Sequence, residues 1–400
     1  MKTLRTVFSS PLIHLLFLTT LQIVVFTHTN IAPADDHFNY QRFIESLAVG
    51  KLDFSIPGFQ GASFFAVFIY LFNHSSVANI LFQLFCGALL PVMAYFAASS
   101  LFRDRNSGLL FAYIIALMPF GSFIGFRGFT FPSFTFFLFL AIALRARGSV
   151  WAWLPWGISM LIKPFSVALL PLFLLWHPHR TRVMRTSDWM QCFLALLIPA
   201  CYVALQYWQI GRVIVGSHME IDQTNVFVLS KFPLTRAHGI QMLFSIHNYY
   251  FLDPAKTSAG NLVHSSPLLM FLGVFSFLYP ADRWKDRKLL LALGLSFLMA
   301  YILAALLDHM DHWYMETSVL LLVLLAIPCI AEYLLLLPLL LITLHFQFLY
   351  LYLMWRGTYF PDFTLFVIPL AIDAMALLMW FVFMHPARSI SSFLRQYKLL

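Results

Sequence analysis

The chain has 400 residues, of which 61% are hydrophobic, 18% aromatic and only 10% charged. Soluble domains carry about 25% charged residues, so this composition excludes one. Its 25 Lys and Arg against 17 Asp and Glu give a net charge of +8, which in so apolar a chain reports membrane orientation and not nucleic-acid binding.

Apolar runs near twenty residues recur along the whole length, as expected of helices that cross roughly 30 Å of hydrocarbon. The short alternating segments of a β-barrel are absent. The expected fold is an all-α polytopic membrane protein forming one domain over residues 1–400. In chain order, twelve membrane segments are predicted, at 12–27, 77–99, 108–126, 129–144, 151–162, 165–176, 189–208, 267–279, 289–307, 317–330, 334–355 and 363–384. Lys2, Arg5, the first apolar run and Ala32-Pro33-Ala34 imitate a cleavable secretory signal; the run is read here as an uncleaved first span. The fifth and sixth segments are too short to cross separately, and Lys163-Pro164 breaks them apart, which predicts a hairpin of short helices.

With both termini cytoplasmic, 16 of the 25 basic residues fall in inside loops, whereas 11 of the 17 acidic ones fall outside. Two external segments are longer than connection requires, 30–76 and 209–266. In the first, Tyr40, Phe43, Ile44 and Leu47 recur at helical spacing, which predicts an interfacial helix over 37–49. Residues 51–61 read as a turn-rich loop around Pro57-Gly58, and 62–72 as an apolar stretch dipping into the outer leaflet. Cys86, Cys192, Cys201 and Cys329 all lie in apolar runs without metal-like spacing and are expected to be packing residues.

The residues able to carry chemistry are few. Asp35 and Asp36 stand just beyond the first span, where a carboxylate serves as a general base or simply caps the interfacial helix. Lys163, between two short helices, is costly unless it faces an anion, lines a polar cavity or snorkels to the interface. Arg127, in Gly125-Phe126-Arg127-Gly128, follows the same logic but lies in a loop. Asp308, His309, Asp311 and His312 form either a divalent-metal or phosphate cradle or a solvated loop. Asp373 sits mid-span, as a functional group or as a hydrogen-bonded buried acid. His218, His238, His247 and His264 are too scattered for a ligand set. No phosphate-binding loop and no dinucleotide-binding glycine fingerprint is present.

Asp35-Asp36, then Arg42-Phe43-Ile44-Glu45-Ser46-Leu47-Ala48, Gly50 and Phe54-Ser55-Ile56-Pro57-Gly58, together resemble the first external loop of the GT-C glycosyltransferases. These membrane enzymes use polyprenyl-phosphate sugars, and the protein mannosyltransferases are among them. Gly157-Ile158-Ser159-Met160-Leu161-Ile162-Lys163-Pro164 looks like a second element of that family. His312-Trp313-Tyr314, ahead of a late span, is a third. The resemblance implies inverting transfer of a sugar from a polyprenyl-phosphate donor to a glycan or lipid acceptor of the cell envelope, on the external face of the plasma (inner) membrane. Asp35 is then the preferred base and Asp36 the second choice. Lys163 would meet the leaving phosphate, and Arg127, Tyr40, His312 and Tyr314 are further substrate-binding candidates. Many relatives carry another acid between the third and fourth spans, where this chain has Arg127, which puts a two-acid metal site in doubt. Candidates for a divalent ion such as Mg or Mn are Asp36, His309 and Asp311. Two rival readings are a twelve-span secondary transporter and a polymerase or ligase of whole glycans using a polyprenyl-diphosphate donor.

Overall fold

The computed structural model describes residues 10–27, 35–56, 59–117, 130–178, 186–216, 219–221, 272–276, 286–306, 316–332 and 374. Helices dominate. Among the described residues, the departure from an all-α chain is a small antiparallel hairpin, β1 (Val213–Gly216) and β2 (Met219–Ile221), at the start of the segment 209–266. The predicted segments at 334–355 and 363–384 lie essentially outside the described residues.

Helix α1 (Pro11–Thr27) buries His14, Leu18 and Gln22, a stripe spaced at four residues. Polar groups in such a stripe need partners. His14 Nδ1 pairs with the Tyr113 hydroxyl at 2.8 Å, and Gln22 Nε2 donates to the Ala116 carbonyl at 3.2 Å. Helix α2 (Asp35–Ala48) is amphipathic and covers the predicted interfacial helix; Phe43 and Ile44 are buried whereas Arg42 and Glu45 face outward. It stops at Gly50, whose φ of +77° is the left-handed conformation that glycine adopts without strain. Helix α3 (Ser63–Asn73) packs against α2 and matches the predicted apolar stretch.

Helices α4 (Ala78–Phe102) and α5 (Arg105–Leu117) form a tight pair. Asp104 caps α5 by accepting from the Ser107 amide at 3.0 Å and the Ser107 hydroxyl at 2.7 Å. Helix α6 (Phe131–Ala146) is buried along nearly its whole length and packs against α4. Its first turn is secured from α4, because the Ser133 amide donates to Gln83 Oε1 at 3.0 Å.

The predicted reversal at Lys163-Pro164 is present. Helix α7 (Trp153–Ile162) ends at Lys163, which is extended with φ −145° and ψ 119°, as steric contact with a following proline favours. A 3-10 segment (Pro164–Leu169) and helix α8 (Leu170–Leu175) then run back along α7. Trp156 Nε1 donates to the Ser166 carbonyl at 2.7 Å, Ser159 and Ser166 hydroxyls meet at 2.9 Å, and the Trp156 ring stacks on Phe173 at 4.2 Å.

Helix α9 (Thr186–Ile210) packs on α7 at Gly157, where a Cβ would fall 2.9 Å from the Ala195 carbonyl oxygen and 2.5 Å from Ile198 Cδ1. Pro199 lies within the same helix. Helices α10 (Arg287–Leu306) and α11 (Glu316–Glu332) pack together; α10 also borders α8, and α11 borders α5. Among the described residues, two helices, α4 and α9, are long and apolar enough to cross a membrane. Cys86, Cys192 and Cys329 are buried as expected, but Cys201 is exposed on α9. A helix with only one packed face leaves residues of the other face outside the core.

One end of the bundle is locked by charge. Arg145 Nη1 reaches Asp188 Oδ1 at 2.8 Å, while Nη2 donates to the carbonyls of Phe173 and Trp176. Trp176 Nε1 in turn donates to Asp286 Oδ2 at 2.7 Å, Arg147 Nε to Ser100 Oγ at 3.2 Å, and Arg103 to the Pro178 carbonyl. Replacing Asp188 with Ala strands a buried guanidinium and should cost about 3–5 kcal/mol, read as a lower unfolding midpoint of the purified protein. The double change Arg145→Met with Asp188→Leu should recover most of that loss.

Candidate functional site

The opposite end of the bundle gathers the connection that follows α2, the tip of the α7–α8 hairpin, the start of α6 and the last turns of α9. Helix α2 is described from Asp35, so the acid pair stands in the N-terminal turn of its described span. Carboxylates in a first turn are stabilised by the helix dipole. Tyr40, one turn beyond Asp36, is half-buried, and its carbonyl accepts from Ser63 Oγ at 3.5 Å. Ser63 Oγ also donates to Gln60 Oε1 at 2.9 Å.

Gln60 and Gly61 press this connection onto the hairpin. The Gly61 amide donates to the Leu161 carbonyl at 3.2 Å. A Cβ at Gly61 would stand 2.6 Å from the Leu161 carbonyl carbon and 2.8 Å from the Ile162 nitrogen, so only a residue without a side chain lies this close. Lys163 follows directly. It is half-buried, with Nζ 5.8 Å from the Phe131 ring centroid and 5.6 Å from that of Phe134, both at the start of α6. Ring faces hold an ammonium by their quadrupole. The chain thus runs from the acid-bearing helix, through Ser63 and Gly61, to the predicted cation.

Leu52, Phe54 and Phe59 are fastened from α9 by side chains that the sequence reading did not single out. Gln206 Nε2 donates to the Phe54 carbonyl at 3.3 Å, Gln209 Nε2 donates to the Leu52 carbonyl at 2.9 Å, and the Phe54 amide donates to Gln209 Oε1 at 3.0 Å. Tyr202 packs against Phe54, Phe59 and Phe64, and its hydroxyl interacts with the Gln60 backbone and with Tyr40. Their spacing at 202, 206 and 209 puts three polar groups on one face of an apolar helix, a signal visible in the sequence. Asp53 is held below the usual carboxylate range chiefly by the Ser55 hydroxyl at 2.5 Å, with Lys51 at 3.9 Å adding to it.

His37 was also passed over. It is 2% exposed, and its ring is hydrogen-bonded to the Ser76 backbone while Nδ1 is buried without a partner. Burial lowers its pKa below the ordinary value, against the Ser76 bond that raises it. Gly157, part of the second matched motif, packs on α9 and takes no place in this site.

Of the other candidates, Arg127, Asp308, His309, Asp311, His312, Tyr314 and Asp373 lie outside the described residues, as do the side chains of Asp35 and Asp36. Among the described residues, no three His, Cys, Asp or Glu side chains gather as a metal-binding set. What the arrangement offers is a half-buried cation beside aromatic rings, with Gly61, in the connection that follows a helix headed by two acids, seated next to it on Leu161.

Replacing Gly61 with Val should push the connection off Leu161, cost roughly 1–3 kcal/mol and speed proteolytic cleavage within 51–60. His37 gives a pH dependence of defined sign. Its folded pKa is depressed, so the docking of α2 is fully stable above about pH 6.5 and weakens as pH falls toward the lowered value. Hydrogen exchange across residues 35–48, corrected for intrinsic rate, should rise on acidification, and His37→Gln should flatten that rise.

No protein-family model matches the chain, and no curated protein matches it.

Proposed function

We propose that the chain is an integral membrane glycosyltransferase that moves a sugar from a polyprenyl-phosphate donor to an external glycan or lipid acceptor. The observation that carries the reading is the seating of Gly61 on Leu161, which brings the connection from the acid-headed helix α2 to the foot of Lys163.

The proposed setting is a bundle of twelve spans with cytoplasmic termini and its site on the external face. Helix α9 supports this. Trp189 and Trp208 are exposed near its two ends, separated by about 28 Å at helical rise. That spacing suits aromatic anchors at the two faces of a bilayer core of roughly 30 Å. Exposed Phe193, Leu196, Leu197 and Leu205 lie between them. Charge supports the orientation: Arg103, Arg145, Arg147 and Arg287 stand at the end opposite Lys163.

In the proposed reaction an acceptor hydroxyl attacks the anomeric carbon, its proton passes to Asp35 or Asp36, and the bond to the lipid-phosphate oxygen breaks with its electron pair. Lys163 offsets the charge that grows on the departing phosphate. A single displacement inverts the anomeric configuration and needs one base. Tyr40 and Arg127 are proposed to contact the donor, and His312 and Tyr314 to flank it from the late external loop. A divalent ion held by Asp36, His309 or Asp311 would add to the cation's task.

Purified protein incubated with a panel of polyprenyl-phosphate sugars, with and without chelator, should turn over one donor. Asp35→Asn or Asp36→Asn should lower the rate by about 10²–10⁴ with expression unchanged, and Lys163→Met should lower kcat more than it raises KM. Full activity in both Asn variants removes the proposed base. Solute uptake into proteoliposomes without any donor turnover would replace the whole reading with transport.

A further inference from the structure

Helices α8 and α10 leave a cavity of about 400 Å³ between them, lined by Leu174, Leu175, Leu295, Leu298, Met299 and Ile302 among other apolar residues. Along α10, Lys288, Leu291, Leu295, Leu298 and Ile302 recur at steps of three and four, which places them on one helix face. Leu291, Leu295 and Leu298 are 56%, 37% and 47% exposed, so this face is open from its cationic start to the cavity. The distance from Lys288 to Ile302 is about 21 Å along the axis, longer than the roughly 15 Å of hydrocarbon in one leaflet.

The cationic start is fixed in place. Asp286 caps α10 by accepting from the Lys288 amide at 3.0 Å and the Leu289 amide at 3.2 Å, and it accepts from Trp176 just beyond α8. Arg287 and Lys288 are exposed beside it. In the sequence Arg180, Arg182 and Arg185 follow α8, and Arg283 and Lys285 precede α10. Basic residues at the mouth of an interhelical groove, as Arg287 and Lys288 are here, favour anionic headgroups.

We propose that this groove holds one acyl chain of an anionic bilayer phospholipid, whose phosphate is bound by Arg287 and Lys288. The wholly apolar lining accepts hydrocarbon and offers a sugar or peptide no hydrogen bond. The cations at its mouth select a phosphate-bearing lipid. The mouth lies at the Arg145–Asp188 end of the bundle, opposite Lys163, so the groove serves a lipid of the other leaflet and not the sugar carrier. The inference rests on the membrane reading and is independent of sugar transfer.

The test is lipid retention by the full chain in detergent, measured by native mass spectrometry after equilibration with mixed phosphatidylcholine and phosphatidylglycerol vesicles, without any sugar donor. Wild type should retain phosphatidylglycerol in preference. Arg287→Gln and Lys288→Gln should each weaken that preference about fivefold. Leu298→Trp should fill the groove and abolish retention, with both basic residues intact. Equal retention of the two lipids by wild type overturns the proposal, as does preference that survives all three variants. Displacement of phosphatidylglycerol by an added polyprenyl phosphate also overturns it, by assigning the groove to the carrier. A chain that turns over no donor yet selects phosphatidylglycerol leaves this inference standing while the transferase reading falls.

Discussion

A proline without a backbone amide hydrogen governs the geometry around Lys163. Pro164 can neither continue the ladder of α7 nor leave its predecessor helical. Lys163 is therefore extended, and the chain turns back within the bundle. Turning back frees polar backbone groups within an apolar bundle, and the surrounding residues answer that need locally. Trp156 covers the Ser166 carbonyl, Ser159 meets Ser166, and the Lys163 amide closes on the Ser159 carbonyl at 2.8 Å. Without those bonds the tip would not be stiff enough to receive Gly61.

The two ends of the bundle use polar chemistry for opposite purposes. At the Arg145 end, the Arg145 and Trp176 bonds join elements distant in sequence: α6 to α9, α6 to the end of α8, and the end of α8 to the start of α10. The Arg145–Asp188 pair is enclosed, so breaking it strands a charge. At the Lys163 end, neutral amides do the fastening, and Gln206, Gln209 and Gln60 bind backbone or hydroxyl groups. These clamps on the connection are uncharged, in contrast to the Arg145–Asp188 pair at the other end.

Much of the scaffold was legible in the sequence because apolar run length, proline and glycine act locally. The interfacial helix was read as 37–49 and is found over Asp35–Ala48, and the broken pair around Lys163 was read as a hairpin and is one. Less legible were features decided by distant partners. Gln206 and Gln209 look like ordinary polar residues until the chain segment they clamp is known. Cys201 was grouped with three buried cysteines because an apolar run does not reveal which face is packed. Gly157 looked like part of a chemical motif, whereas its contact with α9 gives it a packing role. The short hairpin at β1 and β2 gave no warning, since so few residues of alternating character stand out beside long helices.

Pro199 and Gly157 bear on each other in a way that neither helix suggests alone. In α9, the oxygen of Ala195 is the acceptor that the amide of residue 199 would ordinarily engage, and proline has no hydrogen to offer it. Gly157 of α7 comes against that same oxygen, where a Cβ would stand only 2.9 Å away, and an α-carbon hydrogen is the weak donor that a glycine can bring to such a place. The glycine thus compensates for a defect in its neighbour as well as permitting close approach. Any side chain at 157 would press on that oxygen and on Ile198 whatever stands at 199, so drift at the proline alone would leave the glycine bound by its neighbour's surface.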